Sequence, residues 1–317
     1  MKNDTTIRSA VIQAAPILFD KTATVNKTLT WIEQAHKEGA KLILFPEAYI
    51  PAYPRELTFG SKVGSRTEEG REVWQIYYDN AVEIPGPEVT ILKKAAKEFK
   101  IYLSIGVVEK ELGTLYCTQL MFGPGGTLMG KHRKIKPTGT ERVIWGEGDG
   151  TTLNVYDTKI GKIGGLICWE NYMPLARVAM YNKGVQIYLA PTADQRQSWQ
   201  ITMQHIAVEG GCYVLGCNQF LTLDMYPEKI RSLEKLEEKD TIICRGGSVV
   251  IDPFGEVVSG PLWDKEGLII AEIDHRQITR RKMDLDVAGH YSRPDIFNFQ
   301  VIGQPDIISE EKPGDAS

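Results

Sequence analysis

Three reactive side chains each stand at the end of a predicted strand. Glu47 follows the run LILF and a proline, Lys134 ends the basic run KHRK, and Cys168 follows GGLI. In open α/β folds, ligands bind where such strands end. A thiol is a poor nucleophile until it becomes a thiolate; a nearby ammonium group lowers its pKa, and a carboxylate can take its proton. Brought together, these three residues could attack a carbon atom through sulfur.

The surroundings of Cys168 distinguish it from the other cysteines. Two glycines precede it and Pro174 follows it, a pattern that predicts a strand turning sharply into a helix. Backbone N–H groups at such a helix start would lie near the sulfur. Taken singly, a glutamate after Phe-Pro or a lysine in a basic run is not specific. Free cysteines are usually small buried hydrophobes, and we favour that interpretation for the remaining four: Cys117, Cys212, Cys217 and Cys244.

The hydrophobic pattern predicts strands that alternate with helices, together with several hairpins. It favours a mixed sheet covered by helices, and no Pro/Ser-rich linker divides the chain. We therefore expect one domain over residues 1–305 and a loose tail over residues 306–317. Predicted helices cover residues 24–38, 89–99, 175–183 and 199–209. Predicted strands cover residues 9–15, 42–45, 101–108, 115–122, 127–133, 153–156, 162–167, 185–190, 213–217, 248–251, 256–258 and 268–273.

Composition resembles that of an ordinary globular protein. Of the 317 residues, 42% are hydrophobic and 25% are charged, which excludes a disordered chain, a coiled coil and a collagen-like repeat. The formal charge of −4 gives no electrostatic basis for binding nucleic acid. No apolar run is long enough for a membrane span, and the N-terminal residues lack the core of a signal peptide. With five cysteines and no CxxC pair, we expect a cytoplasmic protein without disulfides or a metal site.

Three stretches resemble the signatures of the carbon–nitrogen hydrolase (nitrilase) superfamily and occur in its order. They are FPEAY around Glu47, KHRKIKPT around Lys134 and CWEN from Cys168, within a resemblance from residue 7 to about residue 300. The resemblance implies a four-layer αββα sandwich and no metal or organic cofactor. It implies that Cys168 is the nucleophile, Glu47 the general base and acid, and Lys134 the stabiliser of the tetrahedral intermediate. Glu141 matches a further glutamate that would orient Lys134, and the Trp169 N–H would help to receive negative charge.

Two features resemble the true nitrilase branch more than the amidase and carbamoylase branches: Trp169 after the cysteine, and the continuation PTGTER after Lys134. The resemblance implies hydrolysis of an organic nitrile to a carboxylic acid and ammonia through a thioimidate and a thioester, with amide as a minor product. Alternatives are an amidase or carbamoylase, a cyanide-degrading enzyme and, in another class, a non-catalytic assembly protein. Large aromatic residues favour an apolar nitrile. The candidate substrate-binding residues are Tyr53, Trp145, Trp169, Tyr172 and Thr192.

The histidines raise the alternative of a Cys–His hydrolase. We interpret His205 instead as a packing residue of a helix and His132 as a residue that fixes the strand before the lysine; the role of His290 stays open. The charged segment Glu228–Asp240 is interpreted as a solvated surface helix or loop. By resemblance we expect a homodimer that builds larger spiral oligomers, with Glu228–Asp240 and residues 289–295 as contact regions.

Overall fold

Two mixed sheets form the centre of the protein. The computed structural model describes residues 6–236 and 242–303, and within these residues each sheet has seven strands. The first sheet contains β1 (Thr6–Gln13), β2 (Leu42–Leu44), β3 (Val82–Glu83), β4 (Tyr102–Glu111), β5 (Thr114–Phe122), β6 (Leu128–Arg133) and β14 (Gly267–Asp274). The second contains β7 (Val155–Thr158), β8 (Gly161–Gly165), β9 (Ile187–Pro191), β10 (Tyr213–Cys217), β11 (Phe220–Thr222), β12 (Ile242–Ile251) and β13 (Val257–Trp263). Their strand orders are β14-β1-β2-β4-β5-β6, with β3 beside β4, and β11-β12-β10-β9-β8-β7, with β13 beside β12.

Helices cover the outer faces of the two sheets. The helices of the described residues are α1 (Lys21–Lys37), α2 (Glu68–Asp79), α3 (Pro87–Phe99), α4 (Pro174–Asn182), α5 (Gln197–Gly210), α6 (Glu228–Glu234) and α7 (His275–Asp284). Apolar residues of α1 and α3 pack on the first sheet, and those of α4 and α5 pack on the second. A further apolar core lies between the sheets. The predicted four-layer αββα sandwich is confirmed. In the described part of the chain, no helix is long and apolar enough to cross a membrane.

The short strand β2 illustrates how the layers fix the chain near the predicted site. Successive side chains of a strand point to opposite faces of the sheet. Ile43 packs under the helices, whereas Leu42 and Leu44 pack in the core between the sheets. All three are completely buried. The chain that leaves β2 toward Glu47 therefore starts from a strand held on both faces.

Two helices, α2 and α7, and two strands, β3 and β11, were not predicted, and the segment that contains α6 was expected as either a helix or a loop. The helix α6 begins the charged segment Glu228–Asp240 and is less solvated than expected, because Ile230 is buried against residues of α2. Glu234 also accepts hydrogen bonds from the backbone N–H groups of Thr58 and Phe59, at 3.0 and 2.8 Å. Residues 237–240 of this segment and the predicted tail 306–317 lie outside the described residues.

Candidate active site

Cys168 lies at a sharp turn after β8, as the sequence predicts. Gly165 ends β8 very close to β9. A Cβ atom at this position would lie 1.9 Å from the Leu189 carbonyl oxygen, so only glycine, which has no Cβ atom, fits there. Cys168 has a φ of +50°, which is rare for a residue with a side chain and frequent at functional sites. The Asn171 amide donates a hydrogen bond to the Cys168 carbonyl at 2.7 Å. A short 3₁₀ helix, Cys168–Tyr172, then leads into α4.

Glu47 lies just beyond β2, where the chain runs against β4. Gly106 of β4 donates its backbone N–H to the Pro46 carbonyl at 3.1 Å, and a Cβ atom on Gly106 would lie 2.3 Å from the same oxygen. Ala48 turns the chain with a φ of +46°. From the loop between β10 and β11, the Gln219 amide donates to the Glu47 carbonyl at 2.7 Å. Both sheets therefore contribute to fixing Glu47, whose side chain is completely buried.

The ammonium group of Lys134 joins two carboxylates. Its Nζ donates to Glu47 Oε1 at 2.6 Å and to Glu141 Oε2 at 2.8 Å. Glu141 also accepts hydrogen bonds from the Tyr53 hydroxyl and from the Thr138 backbone N–H, each at 2.6 Å. Burial alone would lower the pKa of Lys134, but the negative charges around it, that of Glu47 above all, raise the pKa well above its ordinary value. Lys134 is therefore a fixed cation at the centre of the site.

Burial dominates the electrostatics of the thiol and of the carboxylate. It raises the pKa of Cys168, and the charge of Glu47 raises this pKa further, whereas the Lys134 ammonium opposes both effects. Burial likewise raises the pKa of Glu47, against the effect of Lys134. The ammonium group therefore lowers the thiol pKa, as expected, but burial and the charge of Glu47 outweigh this effect. The resting site holds a thiol near a carboxylate, and Glu47 Oε2 has no hydrogen-bond partner among the described residues. This oxygen is available to take a proton.

A further glutamate, Glu170, connects the two segments that carry the lysine and the cysteine. Its carboxylate accepts hydrogen bonds from the N–H of Ile135, next to the lysine, at 2.5 Å and from the N–H of Ile167, next to the cysteine, at 2.7 Å. His132 Nε2 lies 3.0 Å from the same carboxylate. Because a carboxylate only accepts hydrogen bonds, this ring nitrogen carries a proton. His132 thus helps to fix its strand, as predicted, whereas no role was predicted for Glu170 within CWEN.

An open cavity of about 310 Å³ reaches Cys168. Two of the predicted substrate-binding residues, Tyr53 and Trp169, lie in its wall. Their position allows the predicted contact with substrate, which stays a prediction. The complete wall consists of Tyr53, Arg55, Thr138, Glu141, Cys168, Trp169, Ala193, Asp194, Gln195 and Arg196.

The other three predicted substrate-binding residues do not line this cavity. Trp145 is buried and packs edge-on against Tyr53, with ring centroids 5.6 Å apart. Tyr172 packs edge-on against Trp169 at 5.7 Å. Thr192 is completely buried, and its hydroxyl lies 3.1 Å from the cysteine sulfur. Trp145 and Tyr172 therefore support aromatic rings of the wall, and Thr192 supports the nucleophile.

Charged side chains that the sequence did not single out form much of the wall. Asp194 accepts hydrogen bonds from Arg196 Nη2 at 2.5 Å and from the Trp169 indole at 2.9 Å. The Arg196 guanidinium lies 4.9 Å from the centre of the Trp169 ring. Arg55 lines the same cavity and donates a hydrogen bond to the Ala193 carbonyl. The expectation of an apolar pocket does not hold for this wall.

The histidines do not form a pair with Cys168. His205 lies on the exposed face of α5, 3.6 Å from Glu209, so its interpretation as a packing residue is wrong. The ring of His290 packs against Tyr291 in the segment after α7. Neither histidine lines the cavity. Within the residues that the structure describes, no group of three or more His, Cys, Asp and Glu side chains is arranged to hold a metal ion.

Comparison with known proteins gives matches over almost the whole chain. Residues 8–283 match the family described as carbon-nitrogen hydrolase. The chain is 49% identical to the bifunctional nitrilase/nitrile hydratase NIT4A of Lupinus angustifolius over 307 residues, which is 96% of this chain and 88% of that protein. It is 48% identical to an aliphatic nitrilase of Sinorhizobium fredii over 301 residues, which is 95% of this chain and 97% of that protein.

Solved structures agree on the fold. The structure of Nit3 of Saccharomyces cerevisiae, described as a member of branch 10 of the nitrilase superfamily, superposes with a TM-score of 0.71. The match covers 91% of this chain and 97% of that chain, at 24% sequence identity. An amidase of Nesterenkonia from the same superfamily gives a TM-score of 0.66 at 18% identity, covering 88% and 95% of the two chains. At these identities the likeness concerns the fold alone.

Proposed function

Because the chain belongs to the carbon–nitrogen hydrolase family, we propose that it is a nitrilase, which converts an organic nitrile and water to a carboxylic acid and ammonia. The observation that carries the proposal is the buried Lys134 ammonium, which lies 2.6 Å from Glu47 and 2.8 Å from Glu141; Glu141 in turn lines the cavity that reaches Cys168. Relatives that are nearly half identical over almost the whole chain are named nitrilases.

In the first step, Cys168 attacks the nitrile carbon through sulfur. Because the thiol is protonated at rest, Glu47 takes its proton as the carbon–sulfur bond forms, and then gives that proton to the nitrile nitrogen. The product is a neutral thioimidate bound to Cys168. The unpartnered Oε2 of Glu47 suits this role, since Oε1 is held by Lys134.

In the second step, a water molecule adds to the thioimidate carbon and gives its proton to Glu47. The negative charge that develops on the nitrogen or oxygen of the tetrahedral intermediate is stabilised by the Lys134 ammonium and the backbone N–H of Trp169. Glu47 returns this proton to the nitrogen and then moves the proton of the new hydroxyl group to it as well, so that the carbon–nitrogen bond breaks, ammonia leaves and a thioester remains. A second water molecule attacks the thioester carbon and gives a proton to Glu47, which passes it to the departing sulfur, so that the acid and the free thiol are released. If the thiol leaves before ammonia does, an amide is released instead. Glu141 holds Lys134 during these steps.

Assays with matched substrates test the proposal against its alternatives. A nitrilase hydrolyses the nitrile faster than the corresponding amide, whereas an amidase or carbamoylase shows the reverse order. Release of formamide or formate from cyanide alone would favour the cyanide-degrading alternative. The relatives named bifunctional nitrilase/nitrile hydratase make amide a product to be measured separately from acid. The amidase likeness, at 18% identity, gives the amidase alternative no support beyond the fold.

Substitution of the nucleophile provides the decisive control. Cys168→Ala is expected to abolish ammonia release from every nitrile, and Glu47→Ala and Lys134→Ala are expected to reduce it nearly as far. Cys212→Ala is a matched control, because Cys212 is also buried but packs in the core under α4 and α5. Ammonia release by Cys168→Ala at the wild-type rate would refute the assignment. A non-catalytic assembly protein would release no ammonia in any form, and its Cys168 would react with iodoacetamide no faster than the other thiols.

An exposed apolar patch supports the proposal that the chain self-associates into a homodimer that builds larger spiral oligomers. Leu175 of α4 and Ile201 of α5 are 68% and 63% exposed, and Tyr172 and Met173, which directly precede α4, are also exposed. Covering this patch removes apolar surface from water. Leu175→Asp combined with Ile201→Asp is expected to lower the sedimentation coefficient relative to Leu112→Asp, which changes an exposed turn residue far from α4. Unchanged sedimentation would contradict this use of the patch.

Two further proposals concern the domain and the location. We propose that residues 1–305 form one domain, because β14, a late segment of the chain, pairs along its whole length with the first strand, β1. Limited proteolysis should then give one large resistant fragment rather than two. We also propose a cytoplasmic location, supported by five cysteines that are all buried and free. Cell fractionation with an antibody against the chain tests it.

A further inference from the structure

Among the described residues, one arginine in the cavity wall has no carboxylate partner. Nη2 of Arg55 donates a hydrogen bond to the Ala193 carbonyl, and its guanidinium carbon lies 5.6 Å from the centre of the Tyr53 ring. Its Nε is buried without a hydrogen-bond partner, and no acidic side chain among the described residues forms an ion pair with it. By contrast, Arg196 in the same wall is paired with Asp194. Arg55 therefore brings an unbalanced positive charge to the cavity.

The carboxylates of the cavity are already engaged with other cations. Asp194 lies 2.5 Å from Arg196, and Glu141 lies 2.8 Å from Lys134. Neither is left to balance Arg55. A cation that is largely enclosed without a counter-ion loses favourable hydration, and a bound anion restores the balance. A ligand with a negative charge could therefore balance the charge of Arg55 in this cavity.

We propose that Arg55 binds a carboxylate group of the substrate, so that the preferred nitriles are anionic. The inference rests on the proposed nitrilase function, because the nitrile carbon must reach Cys168 while the carboxylate reaches Arg55. Tyr53 connects the two ends of such a substrate, since its ring lies beside Arg55 and its hydroxyl donates to Glu141 at 2.6 Å. A guanidinium group presents its N–H groups in one plane and matches the planar carboxylate.

The experiment compares ω-cyano carboxylates of increasing chain length with uncharged alkyl nitriles of the same length. The measured quantity is the ratio of kcat/KM for the anionic nitrile to kcat/KM for its neutral partner. At the best chain length, the wild-type enzyme is expected to prefer the anionic nitrile. Arg55→Gln is expected to lower the ratio about ten- to hundredfold, the range for one lost hydrogen-bonded charge pair. Arg55→Lys keeps the positive charge but lacks the planar guanidinium group, so its ratio is expected to lie between those of the wild type and Arg55→Gln.

The matched control is Arg276→Gln, which removes an exposed arginine paired with Asp274 on α7 and is expected to leave the ratio unchanged. A measurement on the wild-type enzyme avoids any folding defect of the variants: added salt should raise KM for the anionic nitrile and not for the neutral one. Hydrolysis of neutral nitriles at a ratio near one, insensitive to salt and to Arg55→Gln, would overturn the inference and leave the nitrilase proposal intact. Absence of ammonia release from every nitrile would instead refute the nitrilase proposal.

Discussion

Replacing Glu170 with glutamine tests whether one buried carboxylate holds the nucleophile and the lysine in their relative positions. The two carboxylate oxygens accept the N–H groups of Ile135 and Ile167, at 2.5 and 2.7 Å, and His132 approaches both oxygens. A glutamine has one accepting oxygen and one NH₂ group. Whichever way the amide turns, one of the two backbone N–H groups faces a donor and loses its partner.

The size of the effect follows from this loss. A hydrogen bond to a charged group contributes about 1.5–3 kcal/mol, and a buried donor left unpaired adds a cost of the same order. The Glu170 side chain is completely buried, so water cannot replace the missing acceptor. We therefore expect Glu170→Gln to lower the free energy of unfolding by about 2–4 kcal/mol. Because the freed segment carries the nucleophile or the lysine, kcat should fall while the affinity of neutral nitriles changes less.

Urea unfolding, ammonia release and the rate at which iodoacetamide alkylates Cys168 measure this prediction. Glu272→Gln is the matched control, because Glu272 is exposed and pairs with the half-exposed Arg8. Such surface pairs contribute less than about 1 kcal/mol. If Glu170→Gln unfolds at the wild-type urea concentration and keeps the wild-type kcat, Glu170 does not connect the two segments as argued.

Three other predictions follow from the same geometry. Burial raises the pKa of Glu47, and only the ionised form of Glu47 can take the thiol proton. We therefore expect kcat/KM to fall on acidification with an apparent pKa above that of an exposed glutamate. A pH profile whose acidic side gives a pKa at or below that of an exposed glutamate would contradict this. Gly106→Ala places a Cβ atom 2.3 Å from the Pro46 carbonyl oxygen. We expect it to lower the free energy of unfolding in urea by about 1–3 kcal/mol and to reduce activity. An unchanged free energy of unfolding and unchanged activity would show that the segment carrying Glu47 can move away from β4. Glu141→Gln should lower kcat about ten- to hundredfold with an unchanged circular-dichroism spectrum, and an unchanged kcat would remove Glu141 from the mechanism.

The fold was predictable where hydrophobic periodicity and turn residues agree. The strand β10 has the predicted bounds, and the helices near residues 24–38 and 199–209 differ from prediction only at their ends. The helix α2 was not predicted, although Val73 and Tyr77 lie one turn apart, because charged residues separate its apolar positions. The charged start of α6 suggested a solvated segment, yet its buried side is defined by contacts with α2, which is distant in the chain.

The proposed catalytic residues of the candidate site were predictable from the known reactivity of their side chains. A cysteine after two glycines, a lysine after a strand and a glutamate after Phe-Pro could be paired on chemical grounds before their contacts were known. The wall of the cavity was less accessible to that reasoning. Aromatic residues near the motifs suggest contacts with substrate, but Trp145 and Tyr172 pack against other rings. Arg55 could not be singled out, because what distinguishes it is the absence of a carboxylate in space.

The protonation state of the thiol depends on a balance that no residue type reveals. Lys134 favours a thiolate, whereas burial and the charge of Glu47 favour a thiol, and the two latter effects outweigh the first. Since Lys134 is hydrogen-bonded to Glu47 and Glu141, its charge is largely committed to the two carboxylates before substrate arrives. Its contribution must therefore come later, when a negative charge develops on the substrate. The same arrangement explains why a base is required, since a cysteine that is not ionised at rest can attack only as its proton moves to Glu47.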